Sequence, residues 1–194
     1  MPKLLQRTNG LSFGDNAEAY NRGRKGYPQI MLDFIEMETD HAGEAAVDVG
    51  CGTGISTRQL CEHWRTTGVD ADPRMLHWAR YVQKGHAPRA YPVEYKQARA
   101  HRLPFKDESQ RLVTSFGAFH YFATHEVMRE FKRVLVPGGV ACVVHQTPRE
   151  EDLFEVAWRS VVAGYIGVVP RRHKDEINYN PRLVAQFLRD VGFT

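Results

Sequence analysis

The chain is poor in the features that would commit it to several large protein classes. Three cysteines among 194 residues, Cys51, Cys61 and Cys142, are an odd number with no CxxC spacing. That argues against a disulfide framework and fits a reducing, cytoplasmic compartment. No uninterrupted apolar run approaches the ~20 residues of a membrane helix. Val134–Val144 and Val161–Val169 are the two best stretches, and Pro137-Gly138-Gly139 interrupts the first. The opening MPKLLQRTNG lacks the apolar core of a secretory signal. The nine histidines form no HxxH or HExxH and no Cys–His cluster with zinc spacing, so a metal is not expected. The net charge is only +3, and the basic residues are scattered apart from Arg22–Lys25 and Arg171–Lys174, with no aromatic interleaving. That argues against a nucleic-acid footprint. Repeats and low-complexity segments are missing as well.

What remains is an ordinary globular composition, 42% hydrophobic and 25% charged, at a length that suits one domain over residues 1–194 with a core of its own. From residue 45 onward, short apolar runs alternate with helical patterns. Strands are expected at Ala45–Val49, Thr66–Asp70, Val93–Gln97, Leu112–Phe116 and Val140–His145. Helices are expected at Gly54–Trp64, Pro73–Val82, Thr124–Val136 and Pro181–Val191, with a further helical stretch around Asp152–Gly164. Pro137-Gly138-Gly139 reads as the stop of the third helix. The alternation implies βαβ units with right-handed crossovers, hence an α/β, doubly wound, Rossmann-like sheet, mostly parallel, with helices on both faces. Residues 45–145 form the core of that pattern. Residues 1–30 precede it as a Gly-, Arg- and Tyr-rich segment, and residues 148–180 read as an insertion.

The most informative stretch is Val47-Asp48-Val49-Gly50-Cys51-Gly52-Thr53-Gly54, where the first strand turns into the first helix. Glycines there let the backbone turn tightly and approach a ligand, and free N–H groups at a helix start favour an anionic group. Glycines at 50, 52 and 54 make GxGxG; the dinucleotide fingerprint GxGxxG needs one at 55, which is Ile55. There is no GK[ST], which excludes a P-loop. Asp70 ends the second strand 18 residues beyond Gly52, where a carboxylate can accept hydrogen bonds from both hydroxyls of a ribose.

VDVGCGTG followed by GVDADPRML resembles the first two motifs of the class I S-adenosylmethionine-dependent methyltransferases. Leu103-Pro104-Phe105 with Lys106–Ser109 resembles the family's stretch before strand 4. SFGAFHYF at Ser115–Phe122 resembles its segment after strand 4, and RVLVPGG at Arg133–Gly139 the motif before strand 5. Phe13, Ala17, Tyr20, Arg24 and Tyr27-Pro28 are similar to the lead-in of small-molecule methyltransferases, and Leu188–Phe193 matches more weakly.

The resemblance implies an enzyme that binds S-adenosyl-L-methionine and methylates a small molecule. On that basis Gly50, Cys51 and Gly52 line the methionine part, and Asp48 steadies the loop or holds the amino group. Asp70 takes the ribose, Ala71 and Met75 lie against the adenine, and Ala100 and His101 sit at its edge. Phe116 and Ala118 flank the methionyl arm, and Tyr20 and Arg24 close over it. The chain departs from the family at Arg99-Ala100-His101, where relatives carry acidic residues, and at Arg111, where they carry Asp.

Methyl transfer needs a base only when the nucleophile must lose a proton. His120, Tyr121 and His145 follow strands 4 and 5 at the ligand-binding ends of the sheet, as catalytic or acceptor-contacting groups or as packed side chains. Cys51 reads as a small loop residue. Trp158, Tyr165 and Ile166 are candidates for the wall of an acceptor pocket or for helical packing. The family's fold ends in two further strands, 6 and 7, and the chain stops at Phe193-Thr194. A sheet without them exposes an edge that a partner, including a second copy in a homo-oligomer, would cover. Two other readings stay open: a non-catalytic binding module on the same fold, and, against the GxGxG spacing, a nicotinamide-dependent oxidoreductase.

Overall fold

The computed structural model describes residues 13–39, 43–145, 181–190 and 192–193. Five strands, β1 (Ala45–Val49), β2 (Arg65–Asp70), β3 (Glu94–Gln97), β4 (Gln110–Phe116) and β5 (Leu135–Val144), form one sheet in the order β3-β2-β1-β4-β5. Every pairing is parallel. The doubly wound reading holds, with five strands among the described residues.

The sheet is covered on both faces, which is what a parallel sheet of this composition requires. Alternate residues of one strand serve the two layers. Val47 and Val49 of β1, Val69 and Val113 pack with Val127, Met128, Phe131 and Val134 of helix α5 (His125–Val134). Ala46 and Leu112 face the other way, onto Leu60, the fully buried Trp64, and Leu32 and Ile35 of helix α2 (Gln29–Thr39). Leu188 of helix α6 (Pro181–Asp190) and Phe193 join the first layer.

Two caps explain where helices start. Asp72 accepts the Arg74 N–H at 2.9 Å with Pro73 at the first position of α4 (Pro73–Lys84), and Thr124 accepts the Val127 N–H at 3.2 Å at the head of α5.

The sequence expectations miss in three places. Helix α3 spans only Ile55–Leu60, because Cys61–His63 tighten into turns that bring Trp64 under the sheet. Pro137-Gly138-Gly139 does not lie between α5 and β5 but inside the strand. β5 starts at Leu135 opposite Gln110, bulges, and resumes register at Val140 opposite Leu112. Gly138 takes a φ of 73° there, and among the described residues β5 is an edge strand, where a proline and a bulge are tolerated. The segment before β1 also contributes a 3-10 turn at Phe13–Asn16, helix α1 (Ala17–Gly23) and α2, elements the residue pattern had not singled out. The 148–180 insertion, with Asp152–Gly164, Trp158, Tyr165 and Ile166, lies outside the described residues.

Candidate active site

The sheet order reverses at β1, whose neighbours are β2 on one side and β4 on the other. The crevice beyond the carboxyl ends of these strands is the ligand-binding position of open parallel sheets. Loop 50–54 leaves β1 into that crevice, and Gly117 leaves β4 beside it.

Gly50 and Gly52 have φ of 74° and 54°, conformations that side chains rarely adopt. A Cβ on Gly50 would lie 2.6 Å from the Ala118 Cβ and 3.0 Å from Phe122, so the loop crosses close over the start of the post-β4 segment. A Cβ on Gly52 would meet only the Met75 methyl, at 3.7 Å. The loop is therefore closed behind Gly50 and open at Gly52.

Asp70 ties the two sides of this opening. One of its oxygens accepts the Gly52 N–H at 2.8 Å and the other the Asp72 N–H at 2.9 Å. Burial raises its carboxyl above the ordinary range, against the backbone hydrogen bonds, which lower it. Each carboxylate oxygen has capacity for a further donor, so the residue is oriented by the protein yet able to take two hydroxyls. Together with the open face of Gly52, this donor and acceptor set fits the ribose and methionyl part of an adenosyl-sulfonium group.

Asp48 is different. Fully buried, it accepts the hydroxyls of Ser56 and Thr57, both at 2.7 Å, and of Thr114 at 3.1 Å. Both of its oxygens are engaged inside the protein, by two residues at the start of α3 and one of β4. Cys51 is buried as well, with its sulfur 3.0 Å from where a Cβ on Gly68 would stand. Its side chain lies against Gly68 of β2, and burial pushes its thiol well above the ordinary range.

The other expected contacts lie around the rim. Ala71 follows Asp70, and its carbonyl accepts the Gln97 amide at 3.3 Å. Met75 is buried beneath Gly52, Ala100 is buried in the core and His101 is exposed. Phe116 turns into the second layer against Tyr27, with ring centroids 4.6 Å apart. Arg24 stands over the end of β4, its Nη2 2.9 Å from the position of a Cβ on Gly117. It donates to the Tyr27 hydroxyl at 3.3 Å and lies 5.9 Å from the ring centroids of Tyr20 and Tyr27. Among the described residues it has no carboxylate partner.

His120, Tyr121 and His145, expected from their places in the sequence, do come together. The His120 ring centroid is 3.9 Å from that of Tyr121 and 5.4 Å from that of His145, edge-on to the latter. Tyr121 is 57% exposed. These three rings stand beyond β4 and β5, with Arg24 on the neighbouring segment.

Sequence reasoning missed two features. Asp72 caps α4 and also receives the Gly14 N–H at 3.0 Å, while Arg74 joins Asp72 to Asp15, so the N-terminal segment is clipped to the helix that follows Asp70. The Asp-Pro pair signalled the cap; nothing in the sequence signalled its long-range partner. The second is Arg58 with Tyr95, beneath the glycine loop.

The profile of a methyltransferase domain matches residues 47–143. This chain belongs to that family, the class I S-adenosylmethionine-dependent methyltransferases. Among its relatives, an uncharacterised methyltransferase-like protein of Schizosaccharomyces pombe is 31% identical over 98% of this chain and 70% of its own length. The demethylmenaquinone methyltransferase of Chlorobaculum parvum is 29% identical over 76% of this chain and 61% of its own length. The methyltransferase-fold chain thus spans about three fifths of that relative. In structure it resembles phosphoethanolamine N-methyltransferase 2 of Haemonchus contortus, solved with S-adenosylhomocysteine and phosphomonomethylethanolamine. The TM-score is 0.65 at 19% identity, over 100% of this chain and 46% of that one. S-adenosylmethionine is the cofactor of the family. No described helix is long and apolar enough to cross a membrane.

Proposed function

We propose that this methyltransferase transfers a methyl group from S-adenosylmethionine to a small-molecule acceptor held beyond the carboxyl ends of β4 and β5. The observation that carries the reading is the pairing of Asp70 with the open Gly52 at the point where the sheet order reverses. Relatives named for demethylmenaquinone and phosphoethanolamine support a small acceptor.

The cofactor supplies a methyl carbon already activated by a sulfonium centre, open to in-line displacement. The chain's task is alignment in a site with little water. Asp70 orients the ribose, the amides around Gly50 and Gly52 bound the methionyl arm, and Met75, Ala71, Ala100 and His101 edge the adenine. Arg24 provides a cation for a carboxylate, and with Tyr20 it closes the near side. The described part of the N-terminal segment, which carries Tyr20 and Arg24, serves as a cap on this side of the 45–145 core. Where the acceptor's nucleophilic atom carries a proton, its methylation would require that proton to leave, and His120, its ring centroid 3.9 Å from that of Tyr121 and edge-on to His145, would accept it.

Transfer of labelled methyl from S-adenosylmethionine to a panel of small hydroxyl, amine and carboxylate compounds tests this, with transfer RNA and protein as control acceptors. Label on a small acceptor alone is the expected result; label on the macromolecules alone would overturn it.

A further inference from the structure

Arg58 is buried to 5% exposure, on α3 directly after the glycine loop. Among the described residues no carboxylate pairs with it. A buried guanidinium without an anion costs stability that an aliphatic side chain of the same length would not, so its hydrogen bonds are the reason to look further. Its Nη1 donates to the Thr53 carbonyl at 2.8 Å and to the Tyr95 hydroxyl at 3.4 Å.

Tyr95 comes from β3, two strands away from the loop. It reaches the loop because β2 has a glycine opposite it: Gly68 pairs with Tyr95, and a Cβ on Gly68 would lie 2.8 Å from the Tyr95 ring. The ring then lies under Gly54, where a Cβ would stand 2.7 Å from the Tyr95 Cζ. Gly54, at a φ of 78°, is the last glycine of GxGxG, and its N–H closes the loop on the Cys51 carbonyl at 2.9 Å. Arg58 therefore holds the loop's Thr53 carbonyl and Tyr95 supports the next residue from below.

We propose that Arg58 and Tyr95 are positioning residues of the cofactor loop, a strut that fixes the Thr53–Gly54 peptide and so presents the Gly52 amide to Asp70. The inference rests on the reading of residues 50–54 as the cofactor loop. It also gives Gly54 and Gly68 a shared purpose, the passage of one tyrosine ring.

The test compares Arg58→Met, which keeps the aliphatic stem, with Arg58→Lys and Tyr95→Phe in the full chain. The readouts are calorimetric affinity for S-adenosylhomocysteine, amide hydrogen exchange and thermal midpoint. Arg58→Met is expected to weaken binding about tenfold and to speed exchange of the 50–54 amides by a similar factor. Exchange in β1 and α5 and the midpoint should stay near wild type. Arg58→Lys should recover part of both effects, and Tyr95→Phe should lose about threefold. Wild-type binding and wild-type loop exchange in Arg58→Met would overturn the strut. So would acceleration spread evenly through β1 and α5, which would mark a merely structural arginine. If the wild-type chain itself does not bind S-adenosylhomocysteine, the cofactor reading fails, and the loop exchange of Arg58→Met still decides the strut.

Discussion

The β1–β2 side of the cleft and the β4–β5 side are built from different materials. On the first side, polar groups answer one another inside the protein. Asp48 accepts three hydroxyls, Asp70 is oriented by two backbone amides that leave each of its oxygens room for another donor, and the Thr53 carbonyl accepts from Arg58. On the second, Tyr20 and Tyr121 are exposed, Arg24 has no carboxylate among the described residues, and the His120 and His145 rings meet edge-on. The first arrangement sets one geometry for one ligand. On the proposed reading, the second offers His120, Tyr121 and His145 to the acceptor, while Arg24 and Tyr20 close over the cofactor. Change at Asp70 and the glycine loop should therefore alter cofactor affinity, and change among the three rings should alter turnover.

The sharpest separation comes from His120→Ala. Loss of a proton acceptor is expected to cost turnover about 10²–10⁴-fold while the affinity for S-adenosylhomocysteine, read by calorimetry, stays within about twofold. A matching fall in affinity would merge the two sides. Asp70→Ala should do the reverse. Two hydrogen bonds to a charged acceptor are worth about 1.5–3 kcal/mol each, so affinity should fall by about a hundredfold or more.

Asp48 gives a smaller effect, and on stability. Burial raises its folded carboxyl above the ordinary value of 3.8, so the group's contribution is full below that value and is lost as pH rises through the raised folded one. Asp48→Asn should flatten that decline in urea unfolding at stepped pH, though it costs about 1–3 kcal/mol overall through the hydroxyls it leaves poorly matched. An unchanged pH slope would show that Asp48 does not titrate in this way. Glu130 has the opposite sign. It accepts the Leu103 N–H at 2.6 Å and two donors of Arg133, whose hydrogen bonds hold its carboxyl below 4.5. Its contribution is present above 4.5 and is lost as pH falls through the folded value. Glu130→Gln should cost about 1 kcal/mol at neutral pH and nothing at acid pH, and should leave both affinity and turnover alone.

The same contrast governs what could be read from the sequence. The glycine loop, Asp48 and Asp70 were legible because a strand-to-helix turn and a backbone ligand site force glycine and a carboxylate into fixed spacing. His120, Tyr121 and His145 were legible by position, since parallel topology puts whatever follows β4 and β5 in the cleft. The proline-glycine pair inside β5 was misread because a bulge at a strand edge carries the same residues as a helix stop. Arg58, Tyr95 and the Gly14–Asp72 contact were invisible, because each joins residues far apart in the chain, 37 residues for Arg58 and Tyr95 and 58 for Gly14 and Asp72. No local pattern encodes such a pairing.

Asp70 and the glycine loop are proposed to form an adenosyl-cofactor site. Calorimetric titration of S-adenosylhomocysteine into the wild-type chain and into Asp70→Ala, with NAD as the control ligand, decides this. Micromolar binding by the wild type, a loss of about a hundredfold or more in the variant and no response to NAD are expected. Equal affinity in wild type and variant, or binding of NAD in place of S-adenosylhomocysteine, would contradict it.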